Sequence, residues 1–212
     1  IYTAMKVKEK NTINSEEVEL DKTDIPKHFE PESMNIPEEL PVLGLKDVVV
    51  FPHMVTALGV STEKELKLLD NVLATNRFLA LVAERDVEKE NLAPSGLYEY
   101  GTASVVLQML RMPDNTAKMI VQGIARIRLK EFTETEPFFK SKVEVLKDDP
   151  DKGDVETEAL ATNAKNQFSQ MISISPNLPE ELKIVIVNID DPGRLTDLIS
   201  SHLNISISEK QE

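Results

Sequence analysis

The apolar residues of this 212-residue chain change their spacing once, near Pro150, and that change limits the fold more than any other feature. Before it they fall in short runs or alternate with polar residues, the two-residue period of strands. After it they recur three and four residues apart, the period of helices. One type of element cannot satisfy both patterns. The chain therefore predicts an α+β protein with a β-rich body over 39–148 and a small helical bundle over 149–212.

In the first body, Pro41–Leu45, Val48–Phe51 and Met54–Val60 read as short strands, with Pro52 and His53 stopping the second. Thr62 and Glu65 form a capping-box pattern ahead of Leu66, Leu69, Val72 and Leu73, which predicts one helix over 62–75. Phe78–Ala83 has strand length. Residues 102–111 run into Met112-Pro113-Asp114-Asn115-Thr116, a turn by its chemistry, and 117–130 return from it. On the return, Ala125, Ile127 and Leu129 alternate with Arg126, Arg128 and Lys130, which gives one dry face and one wet one. Thr133–Val145 supplies one more strand. Short strands around one inserted helix predict a strongly bent sheet or barrel.

In the second body, Ala164, Phe168, Met171 and Ile172 share one helix face. Pro179 opens a second helix with the stripe Leu182, Val185, Ile186 and Ile189. Asp191 caps a third, with Leu195, Leu198, Ile199 and His202 on its apolar side. Ser208 and Gln211 read as the opening of a further helix, so the sequence is expected to be one piece of a longer protein.

Charge separates the same regions. Residues 1–40 carry ten acids and five bases, 41–148 fifteen and fourteen, and 149–212 twelve and five, which sum to the net charge of −13. Residues 1–38 combine Pro26, Pro31 and Pro37 with many acids and show neither period, so they read as an acidic, flexible extension. They lack the compact apolar stretch of a signal peptide and are too acidic for a transit peptide. No apolar run approaches the ~18 residues of a membrane span. The absence of cysteine removes disulfides, thiol nucleophiles and thiolate metal sites, and it fits a reducing compartment.

Catalytic patterns are missing. The chain contains no glycine-rich phosphate loop, no dinucleotide fingerprint, no H-E-x-x-H and no G-x-S-x-G. His28 falls in the acidic extension, His53 in a turn and His202 in a helical apolar stripe, so no two are spaced as metal ligands. Asp190 and Asp191 are neighbouring carboxylates that could be imagined as an acid/base pair, but the helix cap already accounts for Asp191. Arg126, Arg128 and Lys130 have no aromatic residues between them, so they read as a solvated face rather than a nucleic-acid platform. Neither a catalytic centre nor a metal site is predicted.

What stands out is apolar side chains at turns. Phe51, Pro52 and Met54 fall between strands, and Leu110 and Met112 approach the hairpin tip. Loops are ordinarily polar. Two readings follow: the other body covers these residues, or they form an adaptable patch for a partner.

Three segments resemble the N-terminal domain of bacterial Lon, the ATP-dependent protease. They are Pro41–Val55 (PVLGLKDVVVFPHMV), the hairpin over 98–123 with LQMLRMPD and VQG, and Asp190–Leu203 (DDPGRLTDLISSHL). The last is similar to the family pattern almost letter for letter, and the resemblance covers about 39–212. It implies a PUA-like pseudo-barrel followed by a helical bundle. It also implies substrate recognition and support of a homohexamer, in the bacterial cytoplasm rather than the mitochondrial matrix. The ATPase module with its ATP and Mg²⁺, and the Ser-Lys dyad, are expected beyond residue 212, so no cofactor or catalytic residue is expected here. The expected partners are unfolded or misfolded proteins, gripped through Phe51, Pro52, Met54, Leu110 and Met112. An RNA-binding module is the alternative, because PUA-like folds often serve that purpose; a free-standing hydrolase would need a polar site that the sequence lacks.

Overall fold

The structure, a computed structural model, describes residues 35–85, 92–146 and 155–211. Most of the acidic extension and the break after Asp148 lie outside these. Ile36, at the end of that extension, packs against the sheet, and the Glu38 carbonyl accepts a hydrogen bond from Val143 N–H.

Six strands form one sheet: β1 (Glu39–Leu45), β2 (Val55–Val60), β3 (Phe78–Ala83), β4 (Tyr100–Arg111), β5 (Ala117–Glu134) and β6 (Phe139–Val145). Their order is β2-β5-β4-β3-β1-β6, and β6 pairs again with β5. The sheet therefore closes on itself through the second half of β5, while the first half of β5 carries β2 as an extra strand. The changeover falls at Ile124. Ala103 lies opposite Ala125 and Ser104 opposite Gly123, so Ile124 is an extra residue. Such a bulge bends a strand and sharpens its twist, which lets one strand serve two partners.

Helix α1 (Glu63–Ala74) covers the partly open barrel. Its start is fixed as the sequence predicts: Thr62 Oγ1 accepts from Glu65 N–H, and the Glu65 carboxylate accepts from Thr62 N–H at 2.9 Å. Leu68, Leu69 and Val72 pack on Leu43, Leu45, Leu58, Val60, Leu79 and Leu81. The opposite faces of β1 and β3, with Leu40, Val42, Ala80 and Val82, join Ile127 and Leu129 in a second core. β3 is dry on both faces, which is why its sequence is a continuous apolar run.

Two strand expectations are corrected. Residues 48–51 form an extended connection without ladder pairing among the described residues, and Thr102 Oγ1 donates to the Val50 carbonyl at 2.6 Å instead. The stretch from Thr133 onward is shared between the end of β5 and β6.

The helical body comprises α2 (Val155–Ile174), α3 (Leu182–Val187), α4 (Pro192–His202) and α5 (Ile207–Gln211). Phe168, Ile172, Ile186, Ile189 and Leu195 form its core. Asp191 caps α4 by accepting from Arg194 N–H at 2.8 Å. Pro179 begins a turn rather than the helix. Val185 is 45% exposed, because α3 spans less than two turns and Ile186 takes the inward position. The final helix opens at Ser206 with Glu209 rather than Ser208 with Gln211: Glu209 N–H donates to Ser206 Oγ, and the Glu209 carboxylate accepts from Ser206 N–H. Both pairs have the S-x-x-E/Q spacing, and the charged acceptor gives the stronger bonds.

Candidate functional site

β2 lies at the edge of the sheet, and among the described residues it pairs with β5 alone. Its even-numbered residues Leu58 and Val60 enter the core, which turns Val55, Ala57 and Gly59 outward. On β5 the inward residues are Ala117, Met119 and Val121, so Lys118, Ile120 and Gln122 share the outer face. Ala57 and Gln108 sit opposite Ile120 on its two sides, Val55 opposite Gln122, and Leu110 opposite Lys118. Val55, Ile120 and Leu110 thus make a diagonal across three strands, each step about 7–8 Å.

These three are 56%, 37% and 62% exposed. Between them the surface is shallow. Ala57 is small, and a side chain built at Gly59 would meet nothing within 4 Å. Charge is sparse there too, with Lys118 alone on that stretch of β5. The result is a flat apolar face beside a strand edge whose outward N–H and C=O groups have no ladder partner among the described residues.

The residues predicted to form the patch divide. Leu110 is on this face. Met112 is half-buried and lines a small cavity with Ser61 and Leu66 at the start of α1. Phe51 is 8% exposed, packed with Val49 and Ala83 and covered by Met54, Tyr98 and Ile207. As an exposed anchor it is therefore corrected: the helical body covers it. Pro52 and Met54 are half-buried and, with His53, line a cavity against Ile189, Leu198 and His202. The loop is clamped to the barrel by His53 N–H to the Gly123 carbonyl and Gly123 N–H to the Met54 carbonyl, both 2.9 Å. Glycine is needed at 123 because a Cβ there would sit 2.2 Å from the Phe51 carbonyl oxygen. The 51–54 loop and Met112 line separate cavities and Leu110 lines neither, so the five residues do not form one patch.

Val55 and Ile120 were not singled out from sequence. The signal was present: Met119-Ile120-Val121 breaks the alternation of β5 by placing an apolar residue at a wet-face position.

The sequence pattern of the ATP-dependent protease La (LON) substrate-binding domain matches residues 39–212. The chain belongs to that family. It is 42% identical over 181 residues to a Lon protease of Dictyoglomus thermophilum, and 35% identical over 185 residues to Lon protease 2 of Bdellovibrio bacteriovorus. These alignments cover 85% and 87% of the chain but 23% of each relative, so the chain spans about a quarter of their length. The N-terminal domain of a Mycobacterium avium complex Lon protease superposes with a TM-score of 0.67 at 19% identity, over 82% of this chain and 87% of that one. That likeness establishes the α+β fold with its partly closed sheet and helices.

The LON domain has no helix long and apolar enough to cross a membrane among its described residues, and no group of three metal-ligating side chains among them. The cavity of about 480 Å³ between the two bodies is lined by Arg126, whose guanidinium is held by Asp197, and by Lys210.

Proposed function

We propose that this LON domain recognises unfolded or misfolded protein clients for an ATP-dependent protease by holding extended, apolar segments on the outer face of β2, β5 and β4. The observation that carries the reading is the exposed diagonal Val55–Ile120–Leu110 next to the free edge of β2. An extended chain laid along β2 gains main-chain hydrogen bonds and places alternate side chains over the apolar floor. Each apolar anchor contributes roughly 1.5–3 kcal/mol, while association costs about 4 kcal/mol or more. One domain therefore grips weakly and releases when pulled. In a homohexamer, which is part of this proposal, linked copies recover about 10²–10⁴ in effective affinity.

The pairing of the basic stripe supports a protein client over RNA. Arg126, Arg128 and Lys130 each pair with a carboxylate, on Asp197, Glu99 and Glu144 respectively. The domain itself is read as non-catalytic, with ATP, Mg²⁺ and proteolysis assigned to regions beyond this sequence. The bacterial relatives support a cytoplasmic setting.

The test is the triple variant Val55→Ser, Leu110→Ser, Ile120→Ser of the full chain, titrated with casein and followed by NMR. Native-like spectra with at least tenfold weaker client-induced shifts are expected. Undiminished shifts on these strands would overturn the assignment.

A further inference from the structure

A second cavity, away from the β2 face, holds a polar group that the client site does not use. It measures about 270 Å³ and opens between β1, the start of α1 and the turn before β6. Val42, Leu43, Leu68 and Phe138 form its apolar wall. Into it projects Glu84, at the end of β3, which is 5% exposed and whose Oε2 is sealed from solvent with no hydrogen-bond partner. A buried carboxylate without a partner is costly, and native proteins ordinarily provide one. Here the fold makes room for the group instead: a Cβ at residue 44 would lie 2.7 Å from Glu84 Oε1, so Gly44 is what admits it.

The surrounding charge indicates what is missing. Among the described residues five ionisable groups line the cavity: Glu63, Glu65 and Glu84 against Lys46 and Lys64. Glu63 is paired with Lys67 and Lys64 with Glu136, both at 2.7 Å, the Glu65 carboxylate caps α1, and Lys46 acts on Glu84 without forming an ion pair. The positive end of α1 points here, yet its first turn is occupied by the Thr62–Glu65 capping box and carries two acids. What is left unanswered is Glu84 Oε2, and an unpartnered carboxylate oxygen favours a cationic donor. The volume falls just below the range of drug-sized ligands, which suits one side chain or a small amine.

We propose that this cavity binds a primary alkylammonium group, the apolar stem lying on Val42, Leu68 and Phe138 and the charge meeting Glu84. The lysine side chain of a client segment and a free alkylamine present the same chemistry. The site is independent of the β2 face.

The experiment titrates the full 212-residue chain with n-pentylammonium and Nα-acetyl-lysine N-methylamide, with n-pentanol and Nα-acetyl-norleucine N-methylamide as neutral counterparts. The backbone amides of Gly44 and Glu84 report binding. Saturable shifts with an ammonium compound, at least tenfold weaker with its neutral counterpart and lost in Glu84→Gln, are expected. A response to both ammonium compounds assigns a general amine site, and a response to the lysine compound alone assigns a client side chain. No saturable shift, equal binding of the neutral compounds to the wild-type chain, or equal binding by a folded Glu84→Gln variant would overturn the proposal. The triple variant of the β2 face should respond like wild type, which separates failure of this site from failure of the client surface.

Discussion

Arg126 Nη2 on β5 lies 2.5 Å from Asp197 Oδ1 on α4, across 71 residues of sequence, and ties the barrel to the helical bundle. Asp197 keeps 11% of its side-chain surface exposed and Arg126 43%, so the acid is the more desolvated partner. Removing the arginine leaves a mostly buried carboxylate facing the cavity between the bodies, whereas removing the acid leaves a guanidinium that reaches water. Arg126→Ala is therefore expected to cost more than Asp197→Ala, each on the order of 1–3 kcal/mol. A double-mutant cycle by urea denaturation, with a coupling that shrinks little between low and high salt, checks it.

The approach of the 51–54 loop to β5 sets a second expectation. A methyl group at position 123 would collide with the Phe51 carbonyl oxygen, which is backbone and has nowhere to retreat. Gly123→Ala should lower stability by about 2 kcal/mol or more, above what a helix-interior or surface change produces. Thermal unfolding of the variant beside Gly59→Ala, where the added group meets open space, isolates the steric cause.

How much of this could be read from sequence depends on how local each feature is. The Thr62–Glu65 box and the Asp191 cap each lie within a single turn, and both form as predicted. The hairpin was legible because its turn residues have local roles: Asn115 adopts φ 62°, and Asp114 accepts from Thr116 N–H. Burial of Phe51 was one of two readings that the sequence left open, since it depends on Ile207 packing against it from α5, more than 150 residues away. Asp197 resembled any surface acid on a helix until Arg126 was placed opposite it. Ile120 went unnoticed because Met119 and Val121 beside it made the run look like core.

Stability should depend on pH through Glu84 in a direction opposite to the surface acids. Burial raises its carboxyl above the ordinary value of 4.5, with Lys46 a smaller opposing influence. A carboxyl raised in the folded state binds its proton more tightly there. Its contribution is complete below the ordinary value and is lost as pH rises through the raised one. Glu63, Asp114, Glu144 and Glu209 are lowered by hydrogen bonds to Lys67, Thr116, Lys130 and Ser206, so their contributions are lost as pH falls. Glu84→Gln should thus gain in melting temperature relative to wild type as pH increases from about 4.5, the ordinary value. A difference that stays constant from pH 4 to 8 would remove burial as the cause.

Phe51 and Leu110 provide the sharpest contrast, because both are large apolar residues close to turns yet only one meets solvent. Phe51 is 8% exposed and Leu110 62%. Truncating a buried phenylalanine removes its transfer free energy and leaves a cavity, so Phe51→Ala is expected to cost about 3–5 kcal/mol. The loss should reach beyond the barrel, since the ring bears on Met54 and on Ile207 of α5. Hydrogen exchange in α5 should accelerate more than in β3. Leu110→Ser removes a side chain that water already surrounds, so its stability should stay within about 0.5 kcal/mol of wild type. Its effect should appear in client titrations instead, as weakened shifts along β4 and β5. If Phe51→Ala left the melting temperature unchanged while Leu110→Ser unfolded the chain, the division between core and gripping surface drawn here would be reversed.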